Sequence, residues 1–218
     1  MVDLYCERLA PGIWAEPVNT TTNLAFFIAA WATWRMADRL RAFSAGIWLL
    51  SGLICAIGLG SSLFHLFATS WARILDMGSI LLFQLVYVWL YCHWVVHIRF
   101  AWAGLILTAY TASLHLGIQL PHRLSGSLIY APTLVVLLAL GVYHCRTHKS
   151  ERFLPIIAAA VFSLALIFRS IDEIICPYFP FGSHFLWHIL AAIVLYVLTK
   201  SYLANLSIPR RSEERLPS

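Results

Sequence analysis

Seven stretches of this chain are predominantly apolar over roughly the 20 residues that a helix needs to cross a lipid bilayer. They run Asn19–Met36, Ser44–Phe67, Leu75–Val95, Ala101–Ile118, Ser127–Tyr143, Phe153–Ile171 and His184–Leu203. Hydrocarbon offers no water to satisfy a peptide N–H or C=O, so only helices and closed barrels span it. A barrel strand alternates apolar and polar residues, and these runs do not. The expectation is an all-α integral membrane protein, a seven-transmembrane-helix bundle forming one domain over residues 1–218. A short segment, 1–18, precedes the bundle and a polar tail, 207–218, follows it. The charge content agrees: 11% of residues are charged, where soluble domains carry about a quarter. The first 18 residues lack a long apolar core, so no cleavable signal peptide is expected.

Basic residues orient the bundle. Arg8, Arg73, Arg123 and Arg169 fall on the side of the N-terminus, while the other 11 of the 15 Lys and Arg residues fall on the opposite side. The positive-inside rule then puts the C-terminus in the cytoplasm and the N-terminus outside, or in a periplasm. The net charge of +5 belongs to this anchoring belt, and nothing in it points to nucleic acid. Asp3, Glu7, Glu16, Asp76, Asp172 and Glu173 all map to the outer side. The longest outer connection is read as IDEIICPYFPFGSH, with Pro177 and Pro180 blocking continuation of the sixth helix and Ser183 a suitable N-cap for the last. Of the five cysteines, Cys6 and Cys176 share that side, where a disulfide can persist.

A few polar residues stand where a membrane protein least tolerates them. Ser61 and His65 lie in GLGSSLFH, Asp76 opens the third apolar run, and His184 and His188 head the last. Ionisable groups inside spans are unfavourable there and face the bundle interior. His184 and His188, four residues apart, project from one helix face. That spacing alone decides nothing, because His93/His97 and His144/His148 repeat it. Those two pairs lie beside Arg99, Arg146 and Lys149, neighbours that disfavour a bound cation and suit contact with lipid headgroups. His184 and His188 differ in having His65 at the same depth and Asp76 nearby.

Three neutral imidazoles and a water make the open tetrahedral zinc arrangement of catalytic sites. Asp76 could accept a proton from such a water and pass it to a leaving amine, and Ser61, one turn from His65, could steady an oxyanion. The residues alone fit equally a metal-free, hydrogen-bonded polar cluster, with Ser61 back-bonding to its own helix. Gly58 and Gly60 allow a neighbouring helix to approach closely.

The stretches YCER…WAEPVNTTTN, GLGSSLFH, ARILDMGSI and SIDEIIC…HFLWH, in this order and spanning nearly the whole chain, resemble the alkaline ceramidase family. That family lies within a superfamily of seven-span hydrolases that also includes the adiponectin receptors. The resemblance implies a zinc-dependent amidohydrolase that cleaves ceramide, or a related N-acyl lipid, to a sphingoid base or amine and a fatty acid. It implies zinc on His65, His184 and His188, Asp76 as proton shuttle, Ser61 at the oxyanion and a Cys6–Cys176 disulfide. Eukaryotic members of the family also hold calcium near the N-terminus, for which Asp3, Glu7 and Glu16 are the candidates here. The match departs from the pattern at that point. Asp3 is shifted by one residue, the Glu7–Glu16 interval is two residues shorter, and Leu9 or Ala10 stands where an asparagine is expected. The implied partner is a lipid in the membrane; oligomeric state is left open, and a slow, receptor-like lipid-binding protein is the rival reading.

Overall fold

The computed structural model describes residue 2, residues 4–119 and residues 124–206. Among these residues there is no strand. A short helix, α1 (Pro17–Thr22), leads into seven longer ones: α2 (Leu24–Arg39), α3 (Ala45–Phe67), α4 (Ser70–Trp94), α5 (Phe100–Ile118), α6 (Ala131–Arg146), α7 (Leu154–Ile175) and α8 (His184–Ala204). A 3-10 turn, Leu124–Tyr130, enters α6. Among the described residues, five helices are long and apolar enough to cross a membrane: Ala45–Phe67, Ser70–Trp94, Gly126–Arg146, Leu154–Ile175 and His184–Ala204. The chain is therefore an all-α membrane protein. In α2, 16 residues reach only about 24 Å, and in α5 Thr108, Tyr110, Thr111, Ser113 and His115 dilute the apolar run.

Several helix ends differ from the sequence expectation, although α8 starts at His184 and α3 is capped by Ser44 as the sequence suggests. The first run is broken at Asn23, because Pro17 starts α1 and the NTTTN stretch satisfies its own turn. Thr22 Oγ1 donates to Val18 O at 2.9 Å and Asn23 Nδ2 to Asn19 O at 3.0 Å. The third run begins earlier than Leu75: only Ala68 and Thr69 separate α3 from α4, Ala68 closing α3 at φ 46°. Asp76 thus lies nearly two turns inside α4 rather than at its mouth. Likewise α7 continues past Ile171 to Ile175, so Arg169, Asp172 and Glu173 are helical and the outer connection is shorter than expected. The tail 207–218 lies outside the described residues.

α8 is the hub. It packs along α7 and α2, while α3 packs along α4 and α2. The core between them is built from Leu50, Ile54, Ile57, Phe83, Tyr91 and Tyr202. Many large apolar side chains outside it, Trp31, Trp48, Trp71 and Trp102 among them, face outward, as they would toward lipid. Gly60 sets the α3–α4 contact. A Cβ there would sit 2.9 Å from Leu75 O and 3.1 Å from Asp76 Cα, so any larger residue would push the two backbones apart. That close approach carries Asp76 against the turn of α3 that holds Ser61 and His65.

Candidate metal centre

The last turn of α3 supplies His65, and the first two turns of α8 supply His184 and His188. Each of the three is only 1% exposed. One ligand atom from each lies within 4.8 Å of the others, the one such group of three among the described residues. The His93/His97 and His144/His148 pairs form no comparable group there. His65 Nε2 and His188 Nε2 are 3.1 Å apart.

The opposite ring nitrogens decide what those two atoms carry. His65 Nδ1 lies 2.5 Å from the Glu16 carboxylate, to which it donates. The Thr22 hydroxyl has already given its proton to Val18 O, so at 3.0 Å it accepts from His188 Nδ1. Both Nε2 atoms then present lone pairs to each other, an arrangement that repels unless a cation lies between them. His184 Nδ1 is buried without a hydrogen-bond partner among the described residues, as are both ring nitrogens of His144, so it is the meeting of three imidazoles that sets this site apart. The donor set therefore fits a metal ion.

Residues outside the histidine set hold it in place, and most were not evident from spacing. Asp172, on α7, accepts from the backbone N–H groups of Ser183 at 2.6 Å, His184 at 2.8 Å and Cys6 at 2.9 Å. Ser183 occupies the N-cap position of α8, but its own hydroxyl turns away and donates to Phe168 O; Asp172 caps the helix instead. Gly182 permits this, at φ +64°, since a Cβ would come within 2.1 Å of Asp172 Oδ1. Cys6 and Cys176 are joined by a disulfide with Cα atoms 5.5 Å apart. The bond holds the N-terminal segment over the centre, where the Tyr5 ring stacks on His184 at 3.6 Å and 15°. Burial pushes the Tyr5 phenol well above its usual range.

Of the remaining expected site residues, Ser61 and Asp76 are both buried beside His65. Among the described residues it is Ser62, not Ser61, that back-bonds to its helix, at Gly58 O. The cations that bear on Asp76 are Arg169 and Arg73. Arg169 lies over the rings of Tyr130 (5.5 Å) and Trp187 (5.7 Å) and donates to Ser127 Oγ at 3.2 Å.

The candidate calcium carboxylates are engaged elsewhere, and Asp3 lies outside the described residues. Glu7 accepts from the N–H groups of Val18 at 2.6 Å and Asn19 at 2.8 Å, capping α1. Burial raises its carboxyl above the usual range, against the lowering effect of those two N–H groups. Glu16 pairs with Arg8 at 2.6 Å, with His65, and with Asn19 Nδ2 at 3.2 Å. Burial pushes the Glu16 carboxyl up, but His65 and then Arg8 outweigh it and hold it below 4.5.

An apolar cavity of about 70 Å³ lies in the bundle beside the centre, walled by Phe26, Phe83, Tyr130, Phe162, Trp187 and Leu198. Its upper wall adjoins the histidines directly: Trp187 precedes His188, and the Phe26 ring is 6.3 Å from the His188 ring. Three buried histidines that could hold a metal ion thus sit against an apolar space. No curated relative matches the chain. The family model described as Ceramidase matches residues 5–215, a span that contains the three histidines, Ser61, Asp76, both bridged cysteines and the whole cavity wall. The chain belongs to the ceramidase family.

Proposed function

We propose that this chain is a zinc-dependent hydrolase that cleaves the amide bond of ceramide, or of a closely related N-acyl lipid, to a free amine and a fatty acid. The observation that carries the reading is the convergence of three buried histidines, with His65 Nε2 and His188 Nε2 3.1 Å apart, beside an apolar cavity. Zinc–nitrogen bonds of about 2.0–2.1 Å at tetrahedral angles separate two ligand nitrogens by about 3.3 Å, close to what the imidazoles already present. His65, His184 and His188 would hold the ion. When bound, zinc supplies a Lewis acid and lowers the pKa of a coordinated water to about 7.

The chain's own residues do the rest. Asp76, reaching the centre from α4, takes the proton as water attacks the acyl carbon, and returns it to the amide nitrogen as the C–N bond breaks. The Ser61 hydroxyl donates to the carbonyl oxygen while that atom carries negative charge. Tyr130, Trp187 and Phe162 give the acyl chain an apolar wall, so the scissile bond sits at the top of the cavity with the hydrocarbon below. The membrane arrangement we infer is a single domain of seven crossings, its N-terminus and metal centre on the outer side and its C-terminus in the cytoplasm. The basic residues on the Arg35–Arg41 and Arg146–Arg152 ends support that orientation.

The test pairs zinc analysis of the purified protein with hydrolysis of a panel of N-acyl lipids by the wild type and by His184→Ala. About one zinc per chain, turnover of ceramide and loss of both in the variant are expected. A wild type with no zinc, or one that binds lipid without turning it over, would refute the proposal; the second result would favour a receptor-like protein.

A further inference from the structure

Among the described residues, Arg8 is the one charged group that touches both the backbone and the side-chain support of a single histidine of the centre. Its side chain is 1% exposed, and all three guanidinium nitrogens are used. Nε donates to Glu16 Oε1 at 2.6 Å, one terminal nitrogen to His65 O at 2.7 Å, and the other to Gly12 O at 3.2 Å. The His65 carbonyl belongs to the last turn of α3, where carbonyls have no partner within the helix and positive charge is favoured. The other oxygen of Glu16 accepts from His65 Nδ1. One guanidinium thus grips His65 twice, through its carbonyl and, by way of Glu16, through its imidazole.

The same contacts decide what the N-terminal segment can bind. Calcium takes six to eight oxygens at about 2.3–2.6 Å. Here the oxygens of Glu16, Gly12 and His65 converge on a fixed cation, while both oxygens of Glu7 cap α1. These residues do not fit calcium, because a guanidinium already stands among the acceptors and would repel it. We propose that Arg8 is a built-in cation that takes the place of a soluble divalent ion beside the metal centre, and that it positions His65 through Glu16. The centre is thereby independent of calcium. This inference rests on the zinc reading only where it concerns zinc affinity.

Two measurements test it, and neither requires turnover. In the wild type, thermal unfolding in detergent is followed in EGTA and in millimolar calcium; no shift is expected, and stabilisation by calcium overturns the proposal. Zinc dissociation is then measured by competition with a chelator for wild type, Arg8→Ala and Arg8→Lys. Loss of a group that orients a metal ligand weakens affinity by about 10–100-fold, so Arg8→Ala should fall in that range. Arg8→Lys, which keeps the charge and loses the planar fork, should lie between the two. Wild-type zinc affinity in a folded Arg8→Ala, or a Lys variant no better than Ala, overturns it. If Arg8→Ala does not fold, the calcium comparison still decides. A wild type that takes up no zinc sinks the proposed function and leaves the calcium comparison standing as the test of this one.

Discussion

Replacing Asp172 with asparagine tests how the head of α8 is held, because the change keeps shape and removes one charge. Asp172 is 1% exposed and accepts three backbone N–H groups, two at Oδ1 and one at Oδ2. Hydrogen bonds to a charged group contribute about 1.5–3 kcal/mol and neutral ones about 0.5–1.5. With the amide oxygen left facing Ser183 and His184, those two bonds weaken by about 1 kcal/mol each. The amide nitrogen would then face the N–H of Cys6, leaving a buried donor without an acceptor, a further loss of about 1–3 kcal/mol. The expected destabilisation is about 3–5 kcal/mol. Asp172→Ala should be worse, since all three N–H groups lose their acceptor. Equilibrium unfolding in detergent measures the loss, and metal competition on the folded fraction reports whether His184 has moved. A folded Asp172→Asn within 1 kcal/mol of wild type, or an alanine variant no worse than asparagine, would refute this account of the cap.

Three further outcomes are expected. Thr22→Val removes the acceptor that fixes the His188 tautomer; metal affinity should fall about tenfold with little change in unfolding midpoint, and Thr22→Ser should restore it. Reducing the Cys6–Cys176 bond frees the segment that carries Tyr5 and Arg8, so dithiothreitol should lower the unfolding midpoint and speed metal loss; identical metal off-rates with and without reductant would count against the clamp. Glu16 is held below its ordinary value of 4.5, so its contribution is present above that pH and lost as pH falls through the folded value. The stability difference between wild type and Glu16→Gln should therefore shrink below about pH 4.5, as followed by unfolding midpoints across an acid series.

Much of the fold was legible because hydrocarbon leaves a chain few options: a run of apolar residues long enough to cross must be helical. The boundaries were less legible where the same reasoning placed polar residues at span ends. Asp76, Arg169 and Asp172 are inside helices because partners make them tolerable there: neighbouring cations for Asp76, two aromatic rings for Arg169, three N–H groups for Asp172. Those partners come from other segments, so no local pattern announces them. The histidine set was legible by depth and by contrast with the two decoy pairs. Its supports were not. Arg8 reads as an ordinary surface charge and Thr22 as one of three threonines, until folding brings each to the back of a ligand. Ser183 shows the converse, a good cap by residue type displaced by a carboxylate from another helix.

The N-terminal clamp also has a consequence for biogenesis. Asp172 reaches Cys6 across 166 positions and the disulfide spans 170, while two of the three histidines arrive only with α8. A ribosome must therefore release nearly the whole chain before the pocket can close. Until then His65 and Asp76 wait in the bilayer without their partners, in a half-made protein whose histidine set is incomplete. Under the proposed reading, metal loading is consequently a late event that reports on completion, because a chain cut short before the last helix lacks two of the three histidines.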